Sequence, residues 1–300
     1  MRVLWFGTYS RGGGYPRNTV LIESLRAVGV EVCECHAPLF SGAHDKVAAV
    51  RSLTSLARTG VRTAWAWAKL SAGFFRAGPR DVVVVGYTGH ADIYLARALS
   101  IAWRRPIVLD AFLSPYDTAV HDRAIIAKAS LAARALYTVE RGALRIADLV
   151  LTDTGAHADY MAALFGVPRS RFIALPVGSL VTRPVRARKR VAVTAGGGGA
   201  DSDTPPFTAF FCGSFVPLQG LPYILDAAVA APDLRFSIVG DGPDGATVAA
   251  EVSARGLQNV AFERRFIPRD ELERRLAGAD AVLGVFGRTA KSPRVVPCKV

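Results

Sequence analysis

Arg2-Val3-Leu4-Trp5-Phe6-Gly7-Thr8-Tyr9-Ser10-Arg11-Gly12-Gly13-Gly14 opens the chain and decides its fold class. The apolar run from Val3 to Phe6 reads as a strand buried on both faces. Gly7 breaks it and a glycine-rich loop follows. From Asn18 onward Val20, Leu21, Leu25 and Val28 fall on one side of a helix that Gly29 ends. Val30-Glu31-Val32 then reads as a second strand. Strand, Gly-rich loop, helix, strand is a βαβ unit of the doubly wound kind.

The same alternation continues outward. Residues 82–85 and 107–109 are short, wholly apolar runs, as buried parallel strands are. Residues 149–151 and 172–175 follow, with helical patterns at 92–103 and 125–146 between them. The pattern stops at 182–206, where Arg186-Ala187-Arg188-Lys189-Arg190 precedes Gly196-Gly197-Gly198-Gly199 and then Thr204-Pro205-Pro206; such composition marks a linker or mobile loop. Strands at 207–211, 234–239, 260–263 and 281–285 alternate with helices at 221–231, 246–255 and 270–276. The expectation is an α/β protein of two doubly wound, Rossmann-like domains, 1–181 and 207–300, joined by a basic, Gly-rich linker at 182–206. A doubly wound domain needs about five strands, and the second half shows fewer. The chain is therefore expected to stop within its second domain.

Composition limits the function classes. Three hundred residues fit two domains, and a 51% hydrophobic content excludes a disordered chain. Prolines and glycines interrupt the longest uncharged stretch, 204–225, so no spanning helix is expected. The apolar run after Met1-Arg2 is too short for a signal peptide, which predicts a cytoplasmic location. Cys33, Cys35, Cys212 and Cys298 lack metal spacing and read as reduced thiols. The formal net charge is +12. Residues 1–180 carry 21 basic and 13 acidic side chains, 181–206 five and two, and 207–300 eleven and ten. The excess therefore lies in the first half and the linker, and it points to phosphates or an anionic surface.

Four features could carry chemistry. The loop with Gly13 and Gly14 offers backbone N–H groups beside a helix start, flanked by Arg11 and Arg17, which suits an anion; it also suits a plain permissive turn. Gly240-Asp241-Gly242-Pro243 follows a strand of the second half, where ligands of open α/β sheets bind; alone, it also reads as a tight turn. His90 lies just past the carboxyl end of the 82–85 strand, a position for proton transfer or for holding a hydroxyl, or for a helix cap. Residues 46–80 hold seven basic residues and no acidic one. Arg51, Arg58, Arg62, Lys69, Arg76 and Arg80 fall within about 20° of one line on a helix. Leu53, Leu56, Trp67, Leu70 and Phe74 fall opposite, with Gly60 and Gly73 as possible breaks. The stripe suits an anionic membrane or a phosphate-bearing acceptor, or a solvated helix face. With the aromatics opposite the charges, nucleic acid is not expected. Asp153 and His157, at i, i+4, lack a third ligand for a metal.

The second half resembles the donor domain of the family-four retaining glycosyltransferases, of the GT-B fold. The resemblance rests on Phe211-Cys212-Gly213-Ser214-Phe215-Val216-Pro217-Leu218-Gln219-Gly220, on Ile238-Val239-Gly240-Asp241-Gly242-Pro243 and on Ala279-Asp280-Ala281-Val282-Leu283. The stretches Ala147-Asp148-Leu149-Val150-Leu151-Thr152-Asp153-Thr154 and Phe172-Ile173-Ala174-Leu175-Pro176-Val177-Gly178 are similar to the end of that family's acceptor domain. The resemblance implies two domains facing a cleft, and transfer of a sugar from a nucleotide-diphosphate sugar with retention of configuration. The acceptor it implies is a lipid or polysaccharide at the cytoplasmic membrane face. It implies no metal and no cofactor. It places His90 and Asp110 among catalytic positions. Gly13, Gly14, Arg17, Gly213, Ser214, Gln219, Gly240, Asp241, Gly242, Arg265 and Phe266 fall among donor-binding positions.

Departures from the family pattern are specific. Many members carry Arg after the glycine of the first donor-domain strand and Lys five residues on, both on the diphosphate. Here Ser214 and Gln219 stand there, and Arg288, Lys291, Arg294 or Lys299 would have to compensate. Many members have a His where this chain has Asp110-Ala111-Phe112, and the first of the family's paired glutamates is missing, since 281–300 contain no Asp or Glu. Two other expectations stay open: a non-catalytic GT-B partner or scaffold protein, and a nucleotide-sugar epimerase. Oligomeric state is not legible.

Overall fold

The computed structural model describes residues 1–11, 16–39, 53–101, 103–178 and 206–297. The linker stretch 182–205 and Gly13, Gly14, Lys46, Arg51, Cys298 and Lys299 lie outside the described residues. The chain divides into two compact units, Met1–Leu180 and Val181–Val300.

The first unit is a six-stranded parallel sheet of β1 (Arg2–Gly7), β2 (Glu31–His36), β3 (Val82–Val85), β4 (Ile107–Phe112), β5 (Leu149–Thr152) and β6 (Phe172–Ala174), in the order β2-β1-β3-β4-β5-β6. Helices α1 (Arg17–Ala27), α2 (Leu53–Ala77), α3 (Asp92–Ser100), α4 (Leu131–Ile146) and α5 (Gly155–Phe165) link the strands. Alternation along β1 serves both faces of the sheet. Val3 and Trp5 meet Leu21 and Ile22 of α1, while Leu4 and Phe6 meet Leu70 and Phe74 of α2 and Ile93 of α3. Each such fully buried large side chain contributes roughly 1.5–3 kcal/mol.

Local signals place the helix ends. Thr154 accepts the His157 N–H at the start of α5, and Gly166, at φ 59, ends it in the left-handed region. Ser130 caps α4 through the Ala133 N–H. The helix expected over 125–146 therefore begins only after Ser130, and a separate π-helical turn, Asp117–Asp122, precedes it. Gly60 and Gly73 do not break α2. A Cβ at Gly73 would lie 2.7 Å from the Cys35 sulfur, so glycine there lets the helix approach β2. Cys33, Cys35 and Cys212 are free thiols.

The second unit is a four-stranded parallel sheet in the order β10-β7-β8-β9, from Ala281–Val282, Thr208–Ser214, Arg235–Asp241 and Val260–Arg264. Helices α6 (Leu221–Ala230), α7 (Gly245–Ala254) and α8 (Arg269–Gly278) alternate with them. Leu221, Ile224, Leu225 and Ala228 of α6 and Val248 of α7 join Phe211, Phe236 and Ile238 in its core. Among the described residues no helix is long and apolar enough to cross a membrane.

Candidate active site

The strand orders locate the crevices. In each sheet the chain reverses its direction of winding once, between β1 and β3 in the first unit and between β7 and β10 in the second. Ligands of such sheets bind beyond the carboxyl ends of the strands at these points.

In the first unit that region is densely polar. Asp92, at the start of α3 and buried, accepts the Thr8 N–H at 2.7 Å, the Thr8 hydroxyl at 2.8 Å and the Trp67 indole N–H at 2.9 Å. Asn18 donates to the Tyr87 carbonyl at 2.6 Å. Gly86 is required by crowding, since a Cβ would sit 2.6 Å from the Trp5 indole nitrogen and 2.7 Å from the Asn18 amide oxygen. These contacts fasten the ends of β1 and β3 to the starts of α1 and α3.

Arg17 and Asp110 form a buried pair, 1% and 0% exposed. The Arg17 Nε–H reaches both carboxylate oxygens, at 2.8 and 2.9 Å; Nη1 donates to the Leu175 carbonyl at 2.8 Å, and the guanidinium lies 4.8 Å from the Phe112 ring centre. Burial pushes the Asp110 carboxyl up to about 6, against the pull of Arg17. Arg17 is thus held by Asp110 and a strand-end carbonyl, and Asp110, closed off from solvent, ties the start of α1 to β4.

His90 sits in the turn before α3, 6% exposed. Neither ring nitrogen has a hydrogen-bond partner among the described residues. Burial lowers its pKa to about 4, so the ring is neutral at neutral pH. Its Nε2 lies 4.0 Å from Glu140 Oε1. That separation is beyond a hydrogen bond, and the other Glu140 oxygen accepts the Tyr116 N–H at 2.8 Å. Burial therefore outweighs the carboxylate. A neutral imidazole can still accept or donate one hydrogen bond. Sequence reasoning missed Asp92 and Glu140, both buried helix residues whose partners lie far along the chain. His157 pairs with Asp153 at 2.8 Å. Among the described residues no group of three or more His, Cys, Asp and Glu comes together to hold a metal ion.

In the second unit the carboxyl ends of β7 and β8 lie side by side, Gly213 opposite Gly240 and Ser214 opposite Asp241. Gly240 has φ 152, and a Cβ there would collide with the Gly213 carbonyl oxygen. A Cβ on Gly242 would meet the Phe215 backbone at 2.5 Å. The bare strand ends are thus a consequence of backbone crowding. Asp241 shapes this turn: its Oδ1 accepts the Gly242 N–H at 2.9 Å and pairs with Arg264 at 3.2 Å.

Across β7 from Gly240, the chain beyond β10 is laced to the turn before α6. Phe286 N–H donates to the Gln219 carbonyl and Gly287 N–H to the Leu218 carbonyl, both at 3.1 Å. Gly220, at φ 69, leaves no room for a Cβ against Phe286 and Gly287. This lacing carries Arg288 to the first turn of α6, where its guanidinium lies 5.3 Å from the Tyr223 ring centre. Arg288, exposed, thus stands at the first turn of α6, the helix that follows β7. Lys291 is buried, and the Arg294 Nε–H donates to the Ala290 carbonyl at 3.1 Å. Arg265 is engaged elsewhere, with Glu263 at 2.8 Å and Glu271 at 2.6 Å, and Phe266 is exposed.

The glycosyl transferase 4-like domain matches residues 12–178, more than half of the chain. HepE of Anabaena, solved in complex with UDP, has a TM-score of 0.54 and 16% identity, covering 94% of this chain and 73% of its own. HepE in complex with UDP-glucose gives the same values. The lipopolysaccharide outer core galactosyltransferase WaaB, in its apo form, has a TM-score of 0.53 and 14% identity, with the same coverage. At these identities the likeness is one of fold, and that fold is GT-B. No curated protein matches the sequence. The chain belongs to the glycosyl transferase 4-like family and is a glycosyltransferase.

Proposed function

We propose that the protein moves a sugar, with retention of configuration, from a nucleotide-diphosphate sugar to a lipid or polysaccharide acceptor at the inner face of the cytoplasmic membrane. The observation that carries the donor assignment is the pair of glycine-edged strand ends, Gly213 beside Gly240, together with Arg288 at the start of α6, the helix that follows β7. Backbone that close to the surface lets a diphosphate approach N–H groups, and a helix start and a guanidinium both favour its charge. HepE structures with UDP and with UDP-glucose support a uridine nucleotide as the first donor to try.

In the reaction the C1–O bond to the β-phosphate breaks and a C1–O bond to the acceptor hydroxyl forms on the same face. The hydroxyl proton passes to the departing phosphate oxygen, leaving a nucleoside diphosphate. Arg288 and the strand-end N–H groups stabilise the negative charge that grows on the phosphate. Ser214 and Gln219 contribute no charge; Arg288 supplies cationic charge, while Arg264, the last residue of β9 opposite Gly240, is paired with Asp241. No metal is required in this reading, so chelation with EDTA leaves the rate unchanged.

The test is incubation with UDP-sugars and a membrane extract as acceptor, reading nucleoside diphosphate release and the anomeric configuration of the product. An α-linked product from an α-linked donor supports the reading. A β-linked product, or no release with any nucleotide sugar, overturns it.

A further inference from the structure

Helix α2 has a second apolar face that its charge stripe conceals. Its inward face is Ala66, Leu70 and Phe74, all buried against the sheet. On the far side Val61, Trp65 and Phe75 stand 72%, 61% and 61% exposed, with exposed Ala64, Ala68 and Ala72 between them. At 100° per residue these six lie in a band about 100° wide, centred about half a turn from the buried face. Exposed Arg58, Lys69 and Arg76 run along one edge of that band. The Lys69 ammonium lies 3.4 Å from the Trp65 ring centre, so charge and aromatic surface are joined at one spot. Arg62 does not belong to this surface, because it donates to the Leu39 carbonyl at 2.7 Å.

The band continues onto a second element. Trp103 stacks on Phe74 at 4.4 Å and meets Phe75 edge-on at 6.4 Å. This sets the turn after α3 beside the end of α2. Ile101 in that turn is 71% exposed, and Arg104 and Arg105 are exposed next to it. Neither 46–80 nor 101–106 contains an acidic residue. Asp148, beside Ile101 and Arg104, is paired with Arg97 at 2.8 Å, so the charge edging these exposed aromatic and aliphatic side chains is predominantly basic and matches an anionic bilayer surface, where rings enter the headgroup layer and cations meet phosphates. A neutral protein partner would not call for the one-signed charge.

We propose that the outer face of α2 together with Ile101, Arg104 and Arg105 forms a membrane-docking surface, with Trp65, Phe75 and Ile101 entering the headgroup layer of an anionic bilayer and Lys69, Arg76 and Arg104 on its phosphates. The proposal rests on and deepens the membrane-face part of the function above, and its residues all belong to the first unit. Its length along α2, from Val61 to Phe75, is about 21 Å, which lays the helix in the membrane plane.

The experiment is sedimentation of the whole chain with vesicles of 30% phosphatidylglycerol in phosphatidylcholine, and with phosphatidylcholine alone. The wild type partitions onto the anionic vesicles and not onto the neutral ones. The Trp65→Ser/Phe75→Ser variant loses about tenfold or more of its partition, and the Lys69→Gln/Arg76→Gln/Arg104→Gln variant about a hundredfold, near fivefold per charge. All changed residues are solvent-facing, and unchanged melting temperatures verify folding. No binding by the wild type, equal binding to neutral vesicles, or unchanged binding by either variant overturns the proposal. Nucleoside diphosphate affinity, measured without vesicles, is unchanged in both variants. If that affinity is absent while vesicle binding persists, the function fails and the docking surface stands.

Discussion

Replacing His90 by Gln should flatten the acid side of the stability curve. His90 is 6% exposed and its pKa falls to about 4 in the folded protein, against about 6.5 unfolded. The folded value is the depressed one, so the unfolded chain binds the proton more readily. Stability is then full above pH 6.5 and is lost as pH falls towards 4. With those two values the loss between pH 7.5 and pH 5 is about 2 kcal/mol, and it reaches about 3 kcal/mol below pH 4. Urea unfolding at the two pH values measures it. The four tryptophans, Trp5, Trp65, Trp67 and Trp103, all lie in the first unit, so their fluorescence follows the unit that holds His90. His36, whose pKa burial also lowers, adds a slope of the same sign to both proteins, and the difference between them isolates His90. The His90→Gln protein should lose about 2 kcal/mol less than the wild type over this range. Equal slopes would refute the reasoning and mean that Glu140, 4.0 Å away, holds the proton on the ring.

Three further outcomes follow from the same structure. Arg17→Met strands the Asp110 carboxyl in the interior and should cost about 3–5 kcal/mol, with Arg17→Met/Asp110→Leu recovering much of the loss in the same urea assay. Arg288→Ala should weaken UDP binding by about 10–100-fold, the worth of one charge-assisted contact, with little change in melting temperature. Gly240→Ala must displace the Gly213 carbonyl and should lower stability by about 1–3 kcal/mol together with nucleotide binding, read by thermal melting with and without UDP.

Most of the framework was legible in the sequence because buried parallel strands are short apolar runs and their ends are glycines. The 82–85 run and the Gly240-Asp241-Gly242 turn are examples that the structure places at a strand and at a strand end. The Arg17–Asp110 pair was hidden for a definite reason: a cation beside glycines looks phosphate-seeking in the sequence, and its partner lies 93 residues away. The same distance effect hid Asp92, which reads locally as an ordinary first-turn acid of α3 yet holds Thr8 and Trp67. Periodicity found the inward face of α2 from Leu70 and Phe74, but its outer band is half alanine, and only exposure separates Trp65 from Trp67, which is half-buried and bonded to Asp92. Arg288 gained its place only through the pairing of Phe286 and Gly287 with the turn before α6.

A nucleoside diphosphate should bind in the second unit, at the glycine-edged strand ends with Arg288. Calorimetric titration of the whole chain with UDP, GDP and ADP tests it most directly. Saturable one-site binding of one of them is expected, weakened about 10–100-fold by Arg288→Ala and unchanged by Trp65→Ser/Phe75→Ser. No binding of any of the three, or equal binding by the Arg288→Ala protein, would contradict it.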